Sequence, residues 1–213
     1  MKSSDAFADR IDAAERLATR LHEYQGRNPL ILAIPRGAVP MASVLAQRLG
    51  GELDVVLVHK LGAPFDPEFA IGAIDETGWT YLSPDIEGSV GTSTLIERVK
   101  TRQLEALKKR RAQYTPFMHP VDPRGRIVIV VDDGLATGAT MIAALHAVRA
   151  REPAELVCAV PVAASDSLEK IFPLADKVVC LHASPHFGAV SEYYRHFTAV
   201  EDEEVIRILS APA

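Results

Sequence analysis

Residues 127–140, IVIVVDDGLATGAT, run five apolar residues into two adjacent aspartates and then into a loop in which six of seven residues are Gly, Ala or Thr. A short run this apolar suits a strand buried on both faces, as in a parallel sheet covered by helices. Such a strand delivers Asp132 and Asp133 to the carboxyl edge of the sheet, where open α/β sheets bind their ligands. The segment therefore constrains both the fold and the place to look for chemistry.

The rest of the chain fits that class. Phe7, Ile11, Ala14, Leu17, Ala18 and Leu21 recur at helical spacing between charges and predict an amphipathic opening helix, ended by Gly26 and Pro29. LILAI reads as a short buried strand, PRGAVP as a turn, MASVLAQRLG as a helix closed by Gly50 and Gly51, and LDVVLVHK as the next strand. Residues 61–91 are rich in Gly, Pro and Asp around FAIGAI and WTYL, and suggest a hairpin or flap leaving the main sheet. A long helix is expected from about Ser93 to Tyr114, with its basic residues 108–111 facing water. After the motif come helix, strand, helix and strand, then an aromatic, irregular tail, SPHFGAVSEYYRHF. Strands alternating with helices predict right-handed crossovers and a parallel sheet, an α/β fold. The expected organisation is one domain over residues 1–213, with a flap at 61–91 and a C-terminal hood at 184–213.

Composition narrows the partners. A 213-residue chain with 48% hydrophobic residues can bury a sizeable core, and a net charge of -5 argues against a nucleic-acid partner held by bulk electrostatics. No stretch approaches a transmembrane length, and MKSSDAFADR lacks the apolar core of a signal peptide, so the expectation is a cytoplasmic protein with no membrane partner. Cys158 and Cys180 sit in apolar strands, where small buried thiols are expected rather than a disulfide or a metal site.

Two neighbouring carboxylates repel when buried together, and hydrogen-bonding hydroxyls, a metal ion or solvent must stabilise them. Vicinal ribose hydroxyls supply such donors. Beyond the aspartates, residues 134–140 can wrap backbone N–H groups around an anion at a helix N-terminus, with Thr137 and Thr140 adding hydroxyls and Gly138 permitting close approach. An ordinary strand-to-helix turn accounts for one aspartate and one threonine, not for the whole order.

VIVVDDGLATGAT resembles the signature of type I phosphoribosyltransferases: apolar residues, two acids, then a small-residue loop for the 5-phosphate of phosphoribosyl pyrophosphate. The resemblance implies a parallel-sheet, Rossmann-like core in which Asp132 and Asp133 bind the ribose hydroxyls directly or through Mg²⁺, and Ala136, Thr137, Gly138, Ala139 and Thr140 form the phosphate loop. AIPRGAVP is similar to the family's pyrophosphate loop, residues 61–91 to its flap, and the aromatic tail to its variable hood over the acceptor. Gly134 departs from the branched apolar residue many members carry there.

Beside that motif, PRGAVP reads as an anion-binding turn: Gly37 lets the backbone approach and Arg36 brings a fixed charge. Lys60, at the end of VVLVHK, is the next candidate for pyrophosphate charge. The implied reaction transfers ribose 5-phosphate from phosphoribosyl pyrophosphate to a small-molecule acceptor such as a nitrogenous base, with Asp132, Asp133, Arg36, Lys60 and Mg²⁺ serving the reacting centre. Phe187 or Tyr193 would either stack on the acceptor or pack into the core, Asp75 or Glu76 in the flap would either approach the site or, as the safer expectation, lie in a surface turn, and a homodimer is a candidate assembly. A non-catalytic sensor of phosphoribosyl pyrophosphate on the same fold is the second reading. A hydrolase is weakest, for no G-x-S-x-G elbow or Walker A loop occurs.

Overall fold

The computed structural model describes residues 6–63, 66–82, 93–114 and 120–211. Its centre is a five-stranded parallel sheet built from β1 (Leu30–Ala33), β2 (Glu52–Val55), β6 (Ile127–Val131), β7 (Glu155–Ala164) and β8 (Lys177–Ser184), in the order β2-β1-β6-β7-β8. The chain builds outward from β1 to β2, then returns to β6 and builds the other way. The strand order therefore reverses between β1 and β6, and that crevice is where an open α/β sheet offers a ligand site.

Alternate residues explain why these apolar runs are strands. Ile31, Ala33, Ile129 and Val131 point into one core with Leu17 of α1 (Arg10–Arg20) and Leu45 of α2 (Val39–Leu49). Leu30, Leu32, Val128 and Val130 point into the other, with Leu145 of α4 (Ala139–Arg149) and Leu168 of α5 (Ser165–Ile171). Val128 to Val131 have no exposed surface, and burying each such side chain stabilises the fold by roughly 1.5–3 kcal/mol. The strand that carries the aspartates is thus held from both faces.

The segment expected as one strand, LDVVLVHK, is two. The Val56 N–H still bonds the carbonyl of Ala33, but the carbonyl of Leu57 accepts from Glu76, so the chain changes sheets between those residues. A second, antiparallel sheet follows: β3 (Val58–Ala63), β4 (Asp66–Asp75) and β5 (Thr80–Leu82). The excursion from the main sheet thus begins at Val58, and residues 64–65 and 83–91 of the expected flap lie outside the described residues. The small sheet lies against α4 and α3 (Ser93–Tyr114), with the Tyr81 ring stacked on His146 at 4.1 Å between centroids.

Three expectations about charge are corrected here. Arg111, read as solvated with its neighbours, turns inward. It pairs with Asp54 at 3.2 Å and Glu76 at 2.6 Å, because it lies next to two desolvated carboxylates. Asp75 and Glu76 are not surface carboxylates: Asp75 is buried, accepting from the Thr77 N–H and hydroxyl and the Trp79 N–H, and Glu76 is neutralised by Arg111. The sequence reading also passed over α6 (Asp202–Leu209), which buries Val205 and Leu209. Cys158 and Cys180 are free thiols, and burial pushes the Cys180 thiol up to about 11.

Candidate functional site

The turn after β1 and the turn after β6 meet. Ala33 and Val131 are register partners on neighbouring parallel strands, so both chains leave the sheet at the same edge. At Gly37 a Cβ atom would stand 2.3 Å from Oδ2 of Asp133, a separation only glycine permits without displacing the carboxylate. This close approach is what Gly37 provides, and the peptide bond before Arg36 is cis.

Asp133 is fixed from several directions. Arg10, the first residue of α1, donates through Nε and Nη2 to Oδ2 of Asp133 at 2.9 and 2.8 Å, and through Nη1 to the carbonyl of Thr198 at 2.7 Å. Its guanidinium lies 3.9 Å from the centroid of Phe197, and the Tyr194 hydroxyl donates to the Asp133 carbonyl at 2.6 Å. Asp132 has a different environment. Its Oδ1 accepts the Asp133 N–H at 2.9 Å, and desolvation, followed by the charge of Asp133, holds its carboxyl well above the ordinary carboxylate range. One acid is neutralised by a cation, while its neighbour accepts, among the described residues, the Asp133 N–H and lines the adjoining cavity.

The loop beyond them is anchored at its base and open at its tip. Leu135 is buried, and its N–H and C=O bond the Val162 carbonyl and the Ala164 N–H of β7. The Ser167 hydroxyl donates to the Ala136 carbonyl at 2.7 Å. Gly138 precedes α4 at φ 76°, a left-handed conformation that favours glycine and aims the helix N-terminus at the loop. The first N–H groups of α4 have no acceptor inside the helix. Together residues 134–140 line a cavity of about 170 Å³ shared with Asp132 and Val190. The valine explains Gly134: a Cβ there would meet Val190 at 2.7 Å and Val162 at 2.8 Å, so the tail fills the room a branched residue would need.

Arg36 is tethered more loosely. It is 41% exposed, and its Nη1 lies 3.3 Å from Glu201 and 3.8 Å from Asp202, at the start of α6. Lys60 lies on β3 opposite Ala73, in the small sheet and not at the edge of the parallel one. Tyr193 is buried, with its ring stacked on Phe187 at 5.0 Å and tilted against His182, so it serves the core. Phe187 is half-buried and borders a wider cavity of about 610 Å³ that also touches Ala136, Thr137, Ser165, Asp166 and Glu169. Sequence reasoning missed Arg10, Tyr194 and Ser167. Only Arg10 left a signal: a cation in the first turn of a helix, where the dipole disfavours it.

Comparison with known proteins identifies the family. The chain is 40% identical over 204 residues to "Putative phosphoribosyl transferase Rv0571c" from Mycobacterium tuberculosis, covering 95% of this chain and 46% of that protein. It therefore spans about half the length of that relative. It is 30% identical over 109 residues, half of this chain and 35% of the other, to a ribose-phosphate pyrophosphokinase from Pasteurella multocida. The crystal structure of TT1426 from Thermus thermophilus superposes with a TM-score of 0.88 at 43% identity, over 96% of this chain and 98% of that one. The phosphoribosyl transferase domain matches residues 3–197, and the chain belongs to that family.

Proposed function

We propose that the chain binds phosphoribosyl pyrophosphate across the β1–β6 crevice and transfers its ribose 5-phosphate to a small nitrogenous acceptor, releasing pyrophosphate. The observation that carries this reading is the placement of Asp132 in one cavity with an open helix N-terminus, at the point where the strand order reverses. The ribose hydroxyls would donate to Asp132 and Asp133, and the 5-phosphate would accept from the backbone and hydroxyls of residues 136–140. Arg36 and the Gly37 backbone would take the pyrophosphate, with Lys60 of the small sheet as the further candidate. The acceptor would lie in the wider cavity against Phe187.

In the reaction a bond forms between the acceptor nitrogen and the anomeric carbon as the bond from that carbon to the pyrophosphate oxygen breaks. The electron pair leaves with pyrophosphate, and the acceptor nitrogen gives up its proton. Mg²⁺ would neutralise charge on the leaving group. Asp132 and Asp133, side by side at the carboxyl edge of β6, would offer the ion carboxylate oxygens, directly or through water or the sugar hydroxyls. The small sheet and the rest of residues 61–91 would serve as the flap that excludes water from the reacting carbon.

A specific observation favours the second reading, a non-catalytic sensor. Residues 134–140 contain no ionisable side chain, so the loop itself offers no general base to an acceptor. A screen of purines, pyrimidines and related heterocycles with phosphoribosyl pyrophosphate and Mg²⁺, following pyrophosphate release, separates the two. Turnover with any acceptor supports the transferase; tight binding with no turnover supports the sensor.

A further inference from the structure

Arg10 lies in the first turn of α1, where the helix dipole opposes a positive charge, and at 11% exposure it is largely withdrawn from water. Helix formation gives no reason for it. Its surroundings do: each of its three nitrogens donates, two of them to one oxygen of Asp133, and its flat face rests on Phe197. The strands of chain on either side are fixed to one another as well. The Phe7 N–H bonds the Tyr193 carbonyl, the Arg195 N–H bonds the Phe7 carbonyl, and the His196 N–H bonds the Ala8 carbonyl. The beginning and the end of the domain thus form a bracket whose polar tip is Arg10 and whose target is Asp133.

The bracket is selective between the two carboxylate oxygens. Both hydrogen bonds from Arg10 go to Oδ2, and Gly37 closes the space on that same oxygen. Among the described residues Oδ1 of Asp133 accepts no hydrogen bond. The guanidinium therefore fixes the rotamer of the carboxylate, consumes one oxygen, and leaves the other to a ligand. It also offsets the second of two adjacent negative charges, so that both acids can face a sugar with no cation between them.

We propose that Arg10 is a positioning residue for ribose recognition: by holding Oδ2 of Asp133 it presents Oδ1 to a ribose hydroxyl and so sets the preference for ribose over 2-deoxyribose. This rests on the reading of Asp132 and Asp133 as the sugar-diol site. The proposal differs from simple scaffolding because it predicts a loss confined to one hydroxyl.

The test is calorimetric titration of the full chain with ribose 5-phosphate and with 2-deoxyribose 5-phosphate, on the parent, Arg10→Met and Arg10→Lys. Methionine keeps an unbranched stem over Phe197 but cannot donate; lysine keeps the charge but not the paired donors. The parent should prefer ribose 5-phosphate by roughly 10-fold or more, the scale of one hydrogen bond to a charged group. In Arg10→Met that ratio should fall close to one, with the affinity for 2-deoxyribose 5-phosphate within about 2-fold of the parent. Arg10→Lys should give an intermediate ratio, and it carries the test alone if the methionine variant does not fold. A parental ratio retained in Arg10→Lys and in any folded Arg10→Met, or an equal loss for both sugars, overturns the role of Arg10. A ratio of one in the parent removes the sugar-diol reading itself, and the proposal with it.

Discussion

The turns after β1 and β6 leave the sheet side by side, yet they are built in opposite ways. Around Asp132 and Asp133 the chain is held by buried strand residues, by Arg10 and Tyr194, and by the Leu135 bonds to β7. Around Arg36 the side chain is 41% exposed and leans on two solvated acids. Rigid geometry suits the group that must be recognised in one orientation, a sugar with its phosphate. A loosely tethered cation suits a group that arrives charged and departs with more charge, as pyrophosphate does. Under the proposed function, recognition and departure would belong to separate turns that meet at Gly37.

The largest expected effect comes from breaking that division on the Arg36 side. Arg36→Ala should lower turnover with the best acceptor by about 100-fold, the scale of one lost transition-state donor, and pyrophosphate affinity by about 10-fold. Affinity for a nucleoside monophosphate should stay near the parent value. Steady-state kinetics and calorimetry on one preparation check both, and a parental turnover number would show that PRGAVP is only a turn.

Gly37→Ala should be next in size, because it acts on both turns at once. The new methyl must displace the Asp133 carboxylate from Arg10 or push the turn outward, and overpacking of this kind costs roughly 1–3 kcal/mol. Melting temperature should fall, and ribose 5-phosphate should bind more weakly. Unchanged sugar affinity would mean that the two turns are independent.

The smallest effect should come from freeing the tether. Glu201→Gln removes the nearer of the two acids from Arg36, and exposed pairs contribute about 0–1 kcal/mol, so pyrophosphate should bind a few-fold more tightly and ribose 5-phosphate equally well. A drop in pyrophosphate affinity would show that Glu201 orients Arg36 instead of competing for it.

How much of this was legible in the sequence depended on distance along the chain. The motif at 127–140 is contiguous, so its strand, its acids and its loop could be read together, and β6 and α4 stand where the pattern put them. Helix α3 runs over the expected residues, Ser93–Tyr114. Arg10 was not legible, since its partner lies 123 residues away, and the one local signal, a cation in the first turn of a helix, names no partner. Arg111 was hidden by its basic neighbours, which share its composition but not its inward direction. The break between β2 and β3 has no Gly or Pro to mark it, and an unbroken apolar run reads as one strand. Tyr193 and Phe187 looked alike as candidates; burial alone separates them.

Under the proposed function, Asp132 and Asp133 hold the ribose while the loop holds its phosphate. Calorimetry with ribose 5-phosphate and with inorganic phosphate, on the parent and on Asp132→Asn with Asp133→Asn, tests it most directly. The double variant keeps the shape of both side chains and removes their charge. The account predicts that ribose 5-phosphate binds at least about 100-fold more weakly to it, the loss of two hydrogen bonds to charged groups, and that phosphate binds as well as before or slightly better. Undiminished affinity for ribose 5-phosphate would contradict the account.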